Sequence, residues 1–390
     1  TFTESAISTS ADGARAVYAA DVDGDGDMDV LSASFYDDKI AWYENDGSES
    51  FTEHVISTSA DLAYDVHAAD VDGDGDLDVL SASQYDDKIA WYENDGSESF
   101  TEHAISTSAN SARSVYAADV DGDGDMDVLS ASASDDKIAW YENNGSESFT
   151  EHTISTNADY AMFVYATDVD SDGDIDVLVA SNRDDTVAWW ENNGSESFTE
   201  HIITTNADAA RSVFAIDIDG DGELDFLAIG EDHQGNIQRQ SNLMALNSLP
   251  ALKNVDFDFA DYNNDGQSDL IIAGEDPSSG AAITKLYTTF PAYFGSQYGI
   301  VESDLTIQGL RESSTDWIDY DKDGDLDLFL TGLDDNGIAK AMLYKAENNN
   351  NLNTAPNKIT GLTATHDGVG GVEFKWDKPT DNSSSEFRYD

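Results

Sequence analysis

Apolar and polar residues alternate in short blocks along this chain, and through the first five copies the blocks recur every 49 residues. In the second copy, Val66-His67-Ala68-Ala69 precedes an Asp/Gly-rich loop that starts at Asp70, and Val79-Leu80-Ser81-Ala82-Ser83 follows it. The turn Tyr85-Asp86-Asp87-Lys88 leads to Ile89-Ala90-Trp91-Tyr92-Glu93, and Asn94-Asp95-Gly96 leads to Phe100-Thr101-Glu102-His103-Ala104-Ile105. Short β-prone runs bounded by turn formers read as strands, so each unit holds four. A period of this length with four strands per unit is that of a propeller blade. The inner strands are apolar on both faces, as a sheet sandwiched between two neighbours requires.

The ends of the pattern predict how such a ring closes. Phe2-Thr3-Glu4-Ser5-Ala6-Ile7 aligns with Phe51-Thr52-Glu53-His54-Val55-Ile56, a fourth strand without its first three. At the other end Trp317-Ile318-Asp319, Leu328-Phe329-Leu330 and Ala341-Met342-Leu343-Tyr344 supply three strands without a fourth. The expectation is an all-β, seven-bladed propeller over residues 1–347. The N-terminal strand pairs antiparallel with the last blade and removes an open sheet edge. Residues 348–354 read as an Asn-rich linker.

The loops carry the chemistry. The pattern D-x-[DN]-x-D-G-x-x-D occurs seven times. The expected ligand-loop residues are Asp21, Asp23, Asp25, Asp27 and Asp29; Asp70, Asp72, Asp74, Asp76 and Asp78; Asp119, Asp121, Asp123, Asp125 and Asp127; and Asp168, Asp170, Asp172, Asp174 and Asp176. The drifting copies add Asp217, Asp219, Asp221, Glu223 and Asp225; Asp261, Asn263, Asp265, Gln267 and Asp269; and Asp319, Asp321, Asp323, Asp325 and Asp327. Carboxylates at positions 1, 3, 5 and 9, with glycine at 6 for a sharp turn, wrap oxygens around one hard cation. Calcium accepts six to eight oxygens in irregular geometry, whereas magnesium demands a tight octahedron. One calcium ion per blade, about seven in all, is therefore expected. Position 7 is expected to offer its backbone carbonyl with its side chain pointing outward, and the apolar residue at position 8 (Met28, Leu77, Met126, Ile175, Leu224) to anchor the loop from beneath. An EF-hand is excluded, because it needs an acid at position 12 between two helices. Here that position is Ser32, Ser81, Ser130, Val179 or Ala228, between strands.

Charge and composition narrow the partners. Eighty acids against 18 Lys and Arg give a net charge of −62, and seven divalent ions would leave the chain strongly negative. Such a surface repels nucleic acid and anionic membranes. The chain has no cysteine, so calcium would supply the bracing a disulfide might otherwise give. No apolar run is long enough to span a bilayer, so direct membrane insertion is not expected. The start in mid-repeat suggests a signal segment removed or lying upstream, and an extracellular location suits weak calcium sites.

The loops, the D-G-D-x-D-V-L pattern and the W-Y-E-N-[DN]-G segments resemble FG-GAP/VCBS repeats, the calcium-bearing propeller blades also found in integrin alpha subunits. The resemblance spans about residues 1–347. It implies a seven-bladed propeller with calcium in the loop joining strands one and two of each blade. It implies no particular ligand, since related propellers include adhesion receptors, mushroom lectins and accessory domains of polysaccharide-degrading enzymes. From Ala355-Pro356 through Val372-Glu373-Phe374-Lys375-Trp376, residues 355–390 resemble the first strands of a fibronectin type III domain. They are too few for a complete sandwich, so more of the polypeptide is expected to follow.

No nucleophile–base constellation stands out. His54, His103, His152 and His201 recur with the repeat, as blade-building residues do, and His67, His233 and His366 stand alone. The pairs Trp42-Tyr43, Trp91-Tyr92, Trp140-Tyr141 and Trp189-Trp190 read either as core or as sugar-stacking platforms. Asn144-Gly145-Ser146 and Asn193-Gly194-Ser195 match a glycosylation sequon but read better as hairpin turns. The longer connection Thr289–Leu310, with Phe290, Tyr293, Phe294 and Tyr298, is a candidate for individual function. The expected role is a non-catalytic, calcium-stabilised extracellular module for adhesion or surface assembly, with a surface protein or glycan as ligand. A lectin and an accessory domain of a secreted carbohydrate-active enzyme are the alternatives.

Overall fold

The structure is a computed structural model, and it describes residues 2–48, 50–216, 224–230, 238–240, 250, 252–263, 265, 267–290, 299–303, 305–322, 324–346, 363–366 and 372–375. Every element among them is a strand. Sheet one holds β2 (Ala14–Ala20), β3 (Asp29–Ser34), β4 (Lys39–Asn45) and β5 (Phe51–Ser57), paired antiparallel in that order. The next three repeats build the same unit: β6 (Ala63–Ala69) to β9 (Phe100–Ser106), β10 (Ala112–Ala118) to β13 (Phe149–Ser155), and β14 (Ala161–Thr167) to β17 (Phe198–Thr204). The sixth sheet runs from β21 (Lys253–Ala260) through β22 (Asp269–Glu275) and β23 (Ala282–Phe290) to β24 (Gly299–Glu302).

The seventh sheet takes its outer strand from the other end of the chain. After β25 (Arg311–Ile318), β26 (Asp327–Leu333) and β27 (Ala339–Ala346) comes β1 (Phe2–Ser8), with Phe2 opposite Ala346 and Glu4 opposite Tyr344. This is the antiparallel pairing that the stranded N-terminal repeat fragment predicts.

The fifth repeat departs from the expected seven equal blades. Among the described residues it forms a three-stranded sheet, β18 (Ala210–Ile216), β19 (Asp225–Gly230) and β20 (Gln238–Gln240), so complete four-stranded blades number six. Where repeats one to three write Ile-Ala-Trp-Tyr-Glu-Asn and repeat four Val-Ala-Trp-Trp-Glu-Asn, this one writes Gln238-Arg239-Gln240, which has nothing apolar to bury. Farther on, β28 (Thr363–His366) and β29 (Val372–Lys375) form an antiparallel hairpin. The aromatics Tyr293, Phe294 and Tyr298 lie outside the described residues.

The core lies between sheets rather than within them. Leu31, Trp42 and Ala33 of sheet one pack with Val66, Val79 and Tyr92 of sheet two, and Val17, Val30 and Tyr43 pack with Tyr320, Phe329 and Leu343 of sheet seven. Each central strand is buried on both faces, as β3, β7 (Asp78–Ser83) and β11 (Asp127–Ser132) show along their full length. The innermost strands are also tied edge to edge by side chains. Asp65 accepts from the Val115 amide at 3.0 Å, and Asp316 accepts from the Ala19 amide at 2.8 Å across the seam between the last and first sheets. Sheets arranged face to face around a common axis of inner strands define a β-propeller.

Candidate metal centres

Each D-x-D-x-D-G loop joins the innermost strand of a sheet to the next, and its glycines have the left-handed backbone that the turn demands. Position 6 sits at φ +91° in Gly26 and +99° in Gly75, where a side chain would be strained. The loop acids organise their own backbone. Asp70 accepts from the Gly73 and Gly75 amides at 2.9 and 3.2 Å, Asp72 from Asp74 at 3.1 Å, and Asp74 from Asp76 at 2.9 Å.

Carboxylate oxygens then converge. Asp21, Asp23 and Asp29 bring one oxygen each within 4.8 Å of one another, as do Asp70, Asp72 and Asp74, Asp119, Asp121 and Asp127, and Asp168, Asp170 and Asp176. Asp25, Asp123 and Asp172 bind neighbouring loop amides, donated by Asp27, Asp125 and Asp174. In the sixth loop Asp261 and Asn263 both accept from the Asp265 amide, at 2.8 and 2.9 Å. In the seventh, Asp319 accepts from Gly324, and Asp321 is held 2.6 Å from Lys345 Nζ. Asp217, Asp219, Asp221, Glu223 and Asp323 lie outside the described residues, while Asp225 opens β19 opposite Ile216.

The position-9 acids are the most buried members. Asp29 accepts from the Val22 amide at 3.0 Å and the Asn45 amide at 2.7 Å, and Asp78, Asp127 and Asp176 repeat this pair of bonds. Burial pushes these four carboxyls up to about 6, and Asp269 up to about 7. Asp23, Asp72 and Asp121 are raised by burial first and by the neighbouring loop acids second. Clustered acids with raised pKa values favour a bound cation, which would restore the charged form. Three buried oxygens of the loop acids, Asp21 Oδ1, Asp269 Oδ2 and Asp319 Oδ1, accept no hydrogen bond. An all-oxygen donor set with buried unused acceptors fits a hard cation such as calcium.

Two readings of the loop change. The position-7 side chain does not point outward: Asp27, Asp76, Asp125 and Asp174 lie against Gly47, Gly96, Gly145 and Gly194 of their own sheet. A Cβ on those glycines would sit 2.3–2.5 Å from the acid oxygen. Asp27 also meets Lys322 of the seventh loop, and Asp325 is buried. The position-8 residue anchors the loop only in part, since Met126 is exposed while Met28, Leu77 and Ile175 are half-buried. Position 2 does that work, with Val22, Val71 and Val120 each buried against the following sheet. The reason is alternation: position 9 opens the second strand facing inward, so position 8 faces the rim.

The sequence reading also missed an inter-sheet clamp. Asn94 Nδ2 donates to Leu77 O of its own loop and to Val22 O of the preceding loop, both at 3.1 Å. Asn143 and Asn192 repeat this with Val71 and Val120. A recurring asparagine at the end of strand three was the available signal. The recurring histidines are structural: His54 Nε2 lies 2.7 Å from Glu44 and its ring stacks on Trp42 at 4.5 Å, and His103, His152 and His201 do the same. Trp42, Trp91 and Trp140 are buried with their tyrosines, which removes them as sugar platforms. Asn144 accepts from the Ser146 amide and Asn193 from Ser195, the turn reading of those sequons.

The chain is thus a β-propeller assembled from repeats that each carry an acid-rich loop. A family profile described as an FG-GAP-like repeat matches residues 21–81, 70–130, 122–179 and 168–228, which together span more than half the chain, and the chain belongs to that family. No curated protein matches the sequence. Among solved structures the chain is similar to BBS1N in a complex with ARL6DN soaked with lead, at 12% identity and TM-score 0.57, covering 90% of this chain and 97% of that one. The mercury-soaked counterpart gives 11% identity, TM-score 0.55 and coverage of 89% and 97%. At this identity the likeness concerns the fold alone.

Proposed function

We propose that this chain is a non-catalytic, calcium-stabilised interaction module of a secreted or cell-surface protein. The observation that carries the reading is the carboxylate cluster built again and again at one position of the fold, with buried oxygens of Asp21 and Asp319 left without a donor. A chemical centre needs one asymmetric constellation; a part repeated in sheet after sheet serves the framework. The three-stranded fifth sheet is read as a shortened seventh blade, so that β1 closes a ring of seven. The hairpin β28–β29 is read as the start of the fibronectin-like segment 355–390. A protein partner is consistent with the structural neighbour, whose chain is in complex with ARL6DN.

Calcium titration calorimetry of the metal-stripped chain tests the reading. It should reveal several sites, with the sixth loop weakest because Asn263 replaces an acid, followed by the seventh, where Lys345 holds Asp321. Absence of calcium binding, or a preference for magnesium, would overturn it.

A further inference from the structure

The five near-identical repeats differ where their innermost strands begin, at the end opposite the metal loops. One residue there reads Arg15, Tyr64, Arg113, Met162 and Arg211, and the next reads Ala16, Asp65, Ser114, Phe163 and Ser212. The turn after strand two varies too: Phe35-Tyr36, Gln84-Tyr85, Ala133-Ser134 and Asn182-Arg183. Backbone bonds place that turn on the same face, since the Phe35 amide donates to Gly13 O and the Tyr36 amide to Asp12 O, both at 3.0 Å.

Each innermost strand has a break in register at this residue. Ala14 pairs with Ser34 and Ala16 with Ala33, leaving Arg15 as the extra residue; Tyr64, Arg113, Met162 and Arg211 are bulged in the same way. A bulge re-aims its side chain out of the ladder. Here the bulged residues all turn toward the axis and line one cavity of about 140 Å³ at the mouth of the channel. Sheet seven contributes Glu312, which lies in its own bulge at φ +51° and meets Arg15 at 2.9 Å.

The cavity holds buried polar atoms with no partner. Arg113 is 9% exposed, Ser212 6% and Ser313 8%, yet Arg113 Nε, Ser212 Oγ and Ser313 Oγ make no hydrogen bond, nor does Arg15 Nε at the rim. Leaving such atoms buried and unmet costs free energy unless a ligand or water meets them. The guanidiniums are held in place by aromatic rings: Arg15 lies over Phe35 at 4.9 Å, and Arg113 lies over Tyr64 at 4.5 Å while donating to Tyr160 Oη at 2.9 Å.

We propose that this mouth binds a small hydroxylated carboxylate of the uronic-acid class. Guanidinium forks match a carboxylate. The serine hydroxyls donate to or accept from sugar hydroxyls, the Glu312 carboxylate accepts from them, and Tyr64 and Met162 offer an apolar wall. A phosphate or sulfate fits less well, because the Glu312 carboxylate beside Arg15 repels a second negative charge. The site is separated from the metal loops by the length of a seven-residue strand, roughly 20 Å, so its test is independent of the calcium reading.

Titration calorimetry of the full chain in calcium buffer, with D-glucuronate, D-galacturonate, D-glucose and sodium sulfate, decides it. Uronate binding without glucose binding or competition by sulfate is expected. Arg113→Met and the rim variant Arg15→Met should each weaken uronate at least tenfold, while Lys285→Met, which breaks an ion pair with Glu302 on sheet six outside the cavity, leaves it unchanged. Should Arg113→Met fail to fold, Arg15→Met carries the test. The proposal is overturned if wild type binds no uronate, if sulfate competes equally, or if the folded arginine variants bind as wild type does, which would place the uronate on the calcium loops.

Discussion

The two ends of the innermost strands behave as opposites. At one end, repeats one to five keep the same acid loop almost letter for letter, and in the described loops the acids hold loop amides while oxygens of Asp21 and Asp319 stay open in the same loop position. At the other end the same repeats diverge, and the unmet buried atoms belong to arginines and serines that differ from sheet to sheet. Identical copies are what a framework needs, because each sheet must present the same surface to its neighbour. A surface that distinguishes one ligand must break that symmetry. The two ends are coupled only through the strands between them, which makes their contributions separable by experiment.

Metal removal should have the largest effect. Each loop saturated at about 100 times its dissociation constant contributes about 2.7 kcal/mol by linkage. Excess EDTA should therefore lower the calorimetric melting temperature sharply, and an unchanged melting curve would refute calcium as the brace.

Next in size is removal of β1. Without residues 1–8, the β27 edge loses the partners paired from Phe2 to Ser8, and an exposed edge recruits other chains. Light scattering should show association together with a lower, single melting transition that affects both ends. Two separate transitions would mean the ring is not one cooperative unit.

The third test uses pH on the channel rather than the loops. Burial raises Asp65 to about 6 and Asp256 and Asp316 to about 7. Each group holds its proton better folded than unfolded. Its stabilising contribution is complete below the unfolded value near 4 and is lost as pH rises through 6 to 7. In EDTA the melting temperature should therefore rise from pH 8 to pH 5, with a gain of about 1.4 kcal/mol per group for each pH unit below its folded value. With calcium present the gain should shrink, because protonation of Asp29 and its equivalents, raised to about 6, competes with the ion. Asp65→Asn should flatten the metal-free profile; an unaltered slope would remove Asp65 as a cause.

Smallest is Asn94→Ala. It deletes the bond to Val22 O of the first loop, the bond to Leu77 O of its own loop and the bond Asn94 Oδ1 accepts from the Gly96 amide, at about 1 kcal/mol each. Denaturant unfolding should show a loss of about 3 kcal/mol with uronate affinity unchanged. A loss of uronate affinity would mean the two ends are coupled more tightly than the strands imply.

Much of this architecture was readable in the chain. The strands of repeats one to four, the loops between them and the pairing of β1 with β27 follow from periodicity, because a sheet packed on both faces forces the same apolar spacing in every copy. The acid loops were legible because nine residues close in sequence build each of them. What periodicity could not yield was anything that depends on neighbours far apart in the chain. Among the described residues the fifth sheet holds three strands, and its third, Gln238-Arg239-Gln240, lacks the apolar residues of its counterparts. Asp27 turns onto Gly47 only because the strands of its own sheet bring the loop and the hairpin turn together, and Asn94 reaches Val22 across 72 positions only because adjacent sheets meet. Arg15, Arg113 and Arg211 read as scattered cations in an acidic chain. Only the bulges, which shift register by one residue and swing the side chain toward the axis, gather residues 98 positions apart around one cavity. Local spacing determines what each strand and loop can be. Which side chains face one another is decided by the packing of the ring, because register and bulges are set by contacts that no single repeat contains.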